Sequence, residues 1–270
     1  MKETYQELCV NGKTIRGLLS TPDNGEYKNL MPMFHGFTGH KNEHAYLFKQ
    51  LTEQLVGLGY ATIRFDFSGN GDSDGNFEEM TFHTLMAEAD AIMEYAYKIS
   101  GKKLIPLGFS MGGCINSLIS YKKQEYVESI VLISAAGNMD QNARNRLRLL
   151  KHPDDKLIDL GGFYLNREFI DTFQQDLLSH CPDFKQPVLI IHGSVDQAVS
   201  VEVGKKYNRR TLFRMKQFYN MFNNIDDTLR EIERIGEIRY TLPFDIDGAV
   251  IKTDDFSMRE VIGSTAKFPK

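Results

Sequence analysis

No stretch of this 270-residue sequence approaches the roughly 18 consecutive apolar residues of a membrane-spanning helix. The opening run Met1-Lys2-Glu3-Thr4-Tyr5-Gln6-Glu7 has no apolar core of the kind a secretory signal needs. An excess of positive charge is missing as well. Lys and Arg number 32 against 36 Asp and Glu, for a net charge of -4, so no broad basic surface exists to grip nucleic acid or an anionic membrane. Cysteine is scarce: Cys9, Cys114 and Cys181 are odd in number and lack metal-ligand spacing, which argues for reduced thiols rather than a disulfide framework or a metal site. The expectation is a cytoplasmic protein with a small-molecule substrate and no metal, cofactor, nucleic-acid partner or membrane contact.

Up to about residue 207, short apolar runs alternate with helical patterns, as in a mostly parallel sheet with helices on both faces. The pattern predicts strands over 8–10, 15–20, 29–34, 61–67, 104–109, 129–134 and 187–192, and helices over 43–58, 86–99 and 111–122. Between 135 and 187 the alternation lapses into polar, Arg-rich and turn-forming sequence, with a hairpin over 156–166 and a helix over 169–178. Its size and place fit a cap inserted over a pocket. After residue 207 the character changes, to an amphipathic helix over 225–236 and a strand-like run over 249–253.

Gly108-Phe109-Ser110-Met111-Gly112 matches GxSxG, with Gly113 extending it. The bare pattern arises by chance in roughly one chain in ten of this length. Its context carries the weight, because an apolar strand feeds directly into it and a helix leaves from it. That turn needs small neighbours and presents the serine hydroxyl at the helix N-terminus, where the potential is positive. A serine hydroxyl is a weak nucleophile unaided, so a base, an orienting acid and oxyanion donors are also required. The donors expected are the backbone N–H groups of Met111 and of Phe37, the latter in the loop His35-Gly36-Phe37-Thr38-Gly39. Asp196 follows the last predicted strand and suits the orienting acid, or alternatively an N-cap for a helix starting at Gln197. Asp66 and Asp72 precede Ser110 and are read as loop and turn residues.

Four segments in order, HGFTGH at 35–40, RFDFSGNGDSDG at 64–75, GFSMGG at 108–113 and PVLIIHGSVDQAV at 187–199, resemble the cinnamoyl and feruloyl esterases of the α/β-hydrolase class. The resemblance covers residues 1–207, cap insertion at 135–187 included. It implies an α/β-hydrolase fold and hydrolysis of esters between hydroxycinnamic acids and sugars or small alcohols. One departure is Phe109, where such enzymes usually carry His.

Histidine is missing where this chemistry needs it. The fold's chain order puts the base after the acid, yet His35, His40, His44, His83, His152, His180 and His192 all precede Asp196. His35 and His192 sit at strand ends and are read as structural; His40 and His44 belong to the segment that positions Phe37; His152 and His180 lie in the cap. In place of the hydrolase ending, 223–270 is similar to part of the adenylation domain of bacterial NAD-dependent DNA ligases, with their DGAVIK motif at 247–252. That resemblance maps the family's nucleotide-contacting lysine onto Lys252, but the KxDG nucleophile motif is absent. The expectation is a C-terminally truncated α/β-hydrolase over 1–207 joined to a short α+β ligase-like appendage over 211–270. Its function is that of a serine ester hydrolase impaired for want of a triad histidine, or alternatively of a catalytically silent binding module; a remnant ligase role ranks behind both.

Overall fold

The computed structural model describes residues 1–149, 152, 155–173, 184–192, 196 and 199. The appendage, with its predicted helix over 225–236, its strand over 249–253 and Lys252, lies outside the described residues, as does His180.

Two antiparallel strands open the chain, β1 (Lys2–Val10) and β2 (Lys13–Thr21), paired in register from Lys2 opposite Thr21 to Val10 opposite Lys13. Asn11 and Gly12 join them with φ of 50° and 81°, the two-residue hairpin turn whose left-handed backbone suits Asn-Gly. Strand β1 starts six residues before the expected strand because its inward positions include polar Thr4 and Gln6, which hide the period-2 signal. Both side chains are hydrogen-bonded, Gln6 Nε2 to Thr4 Oγ1 at 3.0 Å and Gln6 Oε1 to the Tyr95 hydroxyl at 2.5 Å.

The parallel part follows: β3 (Leu30–Phe34), helix α1 (Leu47–Gly57), β4 (Ala61–Phe65), α2 (Phe82–Ser100), β5 (Leu107–Phe109), α3 (Met111–Lys122) and β6 (Ile130–Ile133). A cap region then contributes α4 (Met139–Arg146), the hairpin β7 (Leu157–Asp159) and β8 (Tyr164–Asn166), and α5 (Arg167–Thr172), before β9 (Val188–Ile191) returns to the sheet. The seven-stranded sheet runs β1-β2-β4-β3-β5-β6-β9, with every neighbouring pair from β4 to β9 parallel. Among the described residues, no helix is long and apolar enough to cross a membrane.

Alternation along the strands builds a core on each face. Leu30 and Phe34 of β3, with Ile130 and Leu132 of β6, join Leu85, Ala89 and Ile92 of α2 and Ile115 and Ile119 of α3 on one side. Met31, Met33, Leu107, Val131 and Ile133 pack with Phe48, Leu51 and Leu55 of α1 on the other. Each fully buried side chain of this kind contributes about 1.5–3 kcal/mol.

Other predicted boundaries shift too, four of them for a plain local reason. Strand β5 begins at Leu107 rather than 104 because Pro106 has no N–H for the ladder, while Leu104 makes an isolated bridge to Val127. Strand β4 ends at Phe65 because the next donors turn elsewhere, the Asp66 N–H to the Arg16 carbonyl and the Phe67 N–H to His35 Nε2. Helix α1 starts at Leu47 rather than 43, since Glu43, Ala45 and Tyr46 hold φ of 60°, 49° and 59°. Helix α2 starts earlier, at Phe82, where the hydroxyls of Thr81 and Thr84 accept reciprocal backbone bonds at 3.1 and 2.9 Å.

Glu88 of α2 is buried among this apolar packing and accepts hydrogen bonds from the Ser68 hydroxyl and from the Ser68 N–H at 2.9 Å. Burial raises its pKa above the ordinary 4.5, and the bonds from Ser68 only partly offset that. The folded carboxyl therefore keeps a proton that the unfolded chain has already lost, so stability falls as pH rises through the ordinary carboxylate range toward the shifted value. We expect the stability of the wild type relative to Glu88→Gln to decline as pH rises above the ordinary carboxylate value of 4.5. Urea denaturation across that series checks it, and a pH-independent difference contradicts it.

Candidate active site

Strand β5 delivers Ser110 to the C-terminal edge of the sheet, and α3 begins at the next residue. Ser110 holds φ 51° and ψ -117°, a backbone state that a non-glycine residue adopts at a cost of about 1–3 kcal/mol. Surrounding bonds hold it there: the Ser110 N–H donates to the Ile133 carbonyl at 3.0 Å, and its carbonyl accepts from Gly113, Cys114 and Ala136 at 3.0, 3.2 and 2.9 Å. The glycines have a steric reason. A methyl on Gly112 would overlap the Phe34 carbonyl, and one on Gly108 would overlap the carbonyl of Gly112. The Ser110 side chain makes no capping bond to its own helix and is only half-buried.

The loop after β3 passes beside this serine. A methyl on Gly36 would lie 3.4 Å from Ser110 Cβ. Glu43, a residue that sequence reasoning passed over, is 4% exposed and turns back to accept the Gly36 N–H at 2.6 Å and the His44 N–H at 3.0 Å. The Gly36 donor is thereby committed, and the Phe37 N–H is the next along the loop. Met111, the other expected donor, is fully buried at the start of α3, where the first N–H groups have no intrahelical acceptor.

Asp66 organises the neighbouring loops. It is fully buried and accepts from the Lys41 N–H at 2.5 Å, Lys41 Nζ at 2.6 Å and the Asp72 N–H at 2.9 Å. Burial disfavours the Lys41 ammonium, but its bonds to Asp66 and Asp72 outweigh that and leave its pKa raised. The same lysine holds the Asp72 carboxyl below its ordinary range. Both aspartates therefore do what loop and turn residues do, and Lys41 is the partner the sequence did not advertise.

None of the histidines near the loop is presented as a base. His35 donates from Nδ1 to the Gly36 carbonyl at 2.8 Å and accepts the Phe67 N–H on Nε2 at 3.1 Å, which fixes a neutral ring; burial lowers its pKa in the same sense. His40 accepts the Asn42 N–H at 3.2 Å, and His44, His83 and His152 are exposed. Asp196 lies beyond β9, its Oδ1 accepting the Val199 N–H at 2.8 Å in the manner of a cap and its Oδ2 standing 3.7 Å from His192 Nε2. His192 Nε2 itself donates to the Val199 carbonyl at 2.8 Å, a structural use of that ring.

The cap closes over the loop with aromatic rings. Phe37 meets Phe77 at 5.3 Å and Phe169 of α5 at 5.6 Å, and Phe77 continues to Phe163 at 5.1 Å. Phe169 and Phe173 pack on the core through Phe82, 4.9 Å from Phe173. The result is a serine on a strained turn, at a helix N-terminus, beside a loop whose Phe37 packs among aromatic rings.

A sheet of this strand order with a serine on the turn after β5 defines an α/β-hydrolase. Residues 25–159, half of the chain, match the family described as Serine aminopeptidase, S33, and the protein belongs to that family. It is similar to Est1E from Butyrivibrio proteoclasticus, solved with ferulic acid bound, at 26% identity and a TM-score of 0.68, covering 76% of this chain and 85% of that one. Its likeness to mouse alpha/beta hydrolase domain-containing protein 10, at 20% identity and a TM-score of 0.58 over 77% of this chain and 84% of that one, concerns the fold alone. Residues 192–270 match the NAD-dependent DNA ligase adenylation domain. Over 58 residues, 22% of this chain, the sequence is 45% identical to a DNA ligase of a Thermoanaerobacter species and 43% identical to DNA ligase 2 of Clostridium acetobutylicum. The chain spans 9% of the length of each of those ligases.

Because the clash at Gly112 is with backbone, Gly112→Ala is expected to destabilise by about 3 kcal/mol or more, the upper end of overpacking costs. At Gly57, the last residue of α1, an added methyl meets nothing within 4 Å, and Gly57→Ala should be neutral or stabilising by up to about 1 kcal/mol. Denaturation midpoints of the two variants provide the comparison, and similar losses at both sites would remove the steric argument for the turn.

Proposed function

We propose that residues 1–207 form a serine carboxylic-ester hydrolase of hydroxycinnamoyl type, and that turnover by this chain is held down by the lack of a triad histidine. The observation that carries the reading is the strained turn at Ser110 beside the Gly36–Phe37 loop. In the proposed reaction the Ser110 hydroxyl attacks the ester carbonyl, and the N–H groups of Phe37 and Met111 stabilise the oxyanion. An acyl-serine forms as the alcohol leaves, and water then releases the acid. Both halves need a base to take the attacking proton and return it to the leaving oxygen. Asp196 is proposed as the acid that would orient such a base, but no histidine follows it in the sequence. The rings of Phe37, Phe77 and Phe169 suit a planar aromatic acyl group, in keeping with the ferulic acid held by Est1E. For residues 211–270 we propose a ligase-derived segment without adenylation activity, Lys252 being separated from any KxDG nucleophile.

The test is hydrolysis of methyl ferulate by this chain and by a variant whose sequence after Tyr207 is replaced with a hydrolase ending that supplies the histidine. We expect near-background turnover for the first and a gain on the order of 10³ or more for the second, abolished by Ser110→Ala. Ordinary enzyme rates from the unaltered chain, lost with Ser110→Ala, would assign the base to another residue, with the cap histidines first in line. Binding of the ester with no turnover in either form would favour the silent binding module instead.

A further inference from the structure

Among the described residues, the buried cations are paired, whereas half-buried Arg146 is not. Arg64 is almost fully buried and donates to Glu3 at 2.8 Å; Lys41 is held by Asp66 and Asp72; Lys123 reaches Asp90 and Glu94. Arg146, at the end of cap helix α4, lays its guanidinium over the Phe37 ring at 4.8 Å. Its Nη1 is buried and without a hydrogen-bond partner among the described residues. Burial lowers its pKa, yet a guanidinium keeps its charge in proteins.

A buried charged donor with no partner is costly, and stacking on one ring satisfies the face of the guanidinium but leaves the Nη1 N–H groups without an acceptor. The ring it covers belongs to the loop that runs beside Ser110. A planar fork of donors beside an aromatic ring matches a carboxylate in geometry and charge.

We infer that Arg146 is a substrate-recognition residue, and that the esters this site accepts carry a free carboxylate on or beside their aromatic group. The inference rests on the reading of the Ser110–Phe37 site as an ester pocket. The carboxylate forms a forked pair with the guanidinium edge while the aromatic group lies along Phe37 and Phe77. The arrangement favours an anionic aromatic ester over a neutral one of similar size and anchors the cap helix when the ester is bound.

Isothermal titration on the full-length chain carrying Ser110→Ala, so that no probe is consumed, tests this with two ligands. Monomethyl terephthalate supplies an aromatic ester with a carboxylate, and methyl 4-hydroxybenzoate supplies a neutral ester of similar size. The expected result is tighter binding of monomethyl terephthalate by about tenfold or more, the effect of one charged hydrogen bond in a dry site. Arg146→Gln should bring the ratio near one while leaving methyl 4-hydroxybenzoate within about twofold, and Arg146→Lys should retain only part of the preference because it lacks the planar fork. Equal affinities in the parent chain overturn the inference. So does an Arg146→Gln variant that weakens both ligands alike, which would make Arg146 a strut of the cap. If neither ester binds, the ester-pocket reading fails and the inference with it; if methyl 4-hydroxybenzoate binds and no carboxylate preference exists, only the inference fails.

Discussion

The turn at Ser110 can exist only where nothing protrudes from Gly112, because α3 leaves β5 so close to β3 that a methyl there would occupy the Phe34 carbonyl. That close approach ties Ser110 to the sheet order. Strand β5 must lie beside β3, with Phe34 opposite Gly108, for the helix N-terminus to reach the loop leaving β3. The strain at Ser110 persists because four backbone bonds, from β6 and from the segments after Ser110 and β6, over-determine its position. A site built this way is set by the most buried part of the molecule, and its serine is presented whether or not a base is there to use it.

Around the turn, polar groups rather than apolar ones fix the loops. Glu43 holds the Gly36 N–H, Asp66 holds Lys41 and Asp72, and His35 bridges Gly36 to Phe67. These groups are buried and each is satisfied, which is the condition under which burial of charge does not unfold a protein. The positive φ at Thr38, Glu43, Ala45 and Tyr46 shows the backbone bent to let those side chains reach. Arg146 stands apart from this pattern: it faces the same loop through an aromatic ring, and its buried Nη1 has no partner among the described residues.

Much of the site was legible because its signals are local. GxSxG between an apolar strand and an amphipathic helix placed Ser110 and Met111, and the glycines around Phe37 marked the loop beside them. The absence of histidine after Asp196 is likewise a fact of the sequence alone. Less legible were Lys41 and Glu43, which look like ordinary surface charges in a polar stretch. Lys41 meets Asp66 only when β3 and β4 pair, and Glu43 meets the Gly36 N–H only when the loop after β3 folds back on itself. The start of β1 was hidden for a related reason, since Thr4 and Gln6 point inward yet are polar, one partner being Tyr95 on α2.

By itself, then, the sequence determined the order of strands and helices up to β6, the placing of Ser110 on a strand-to-helix turn and the lack of a late imidazole, because these depend on periodicity, glycine placement and residue count; helix α4 in the polar, Arg-rich stretch after β6 gave no such signal. Tertiary structure alone decided which donors and charges meet. It commits the Gly36 N–H to Glu43, locks His35 as a neutral spacer, starts α1 after a left-handed bend and lays Arg146 on Phe37. Some of these are bends within one loop that no side-chain periodicity announces, and the stacking of Arg146 on Phe37 joins two elements that only the packing of α4 onto the loop after β3 brings together.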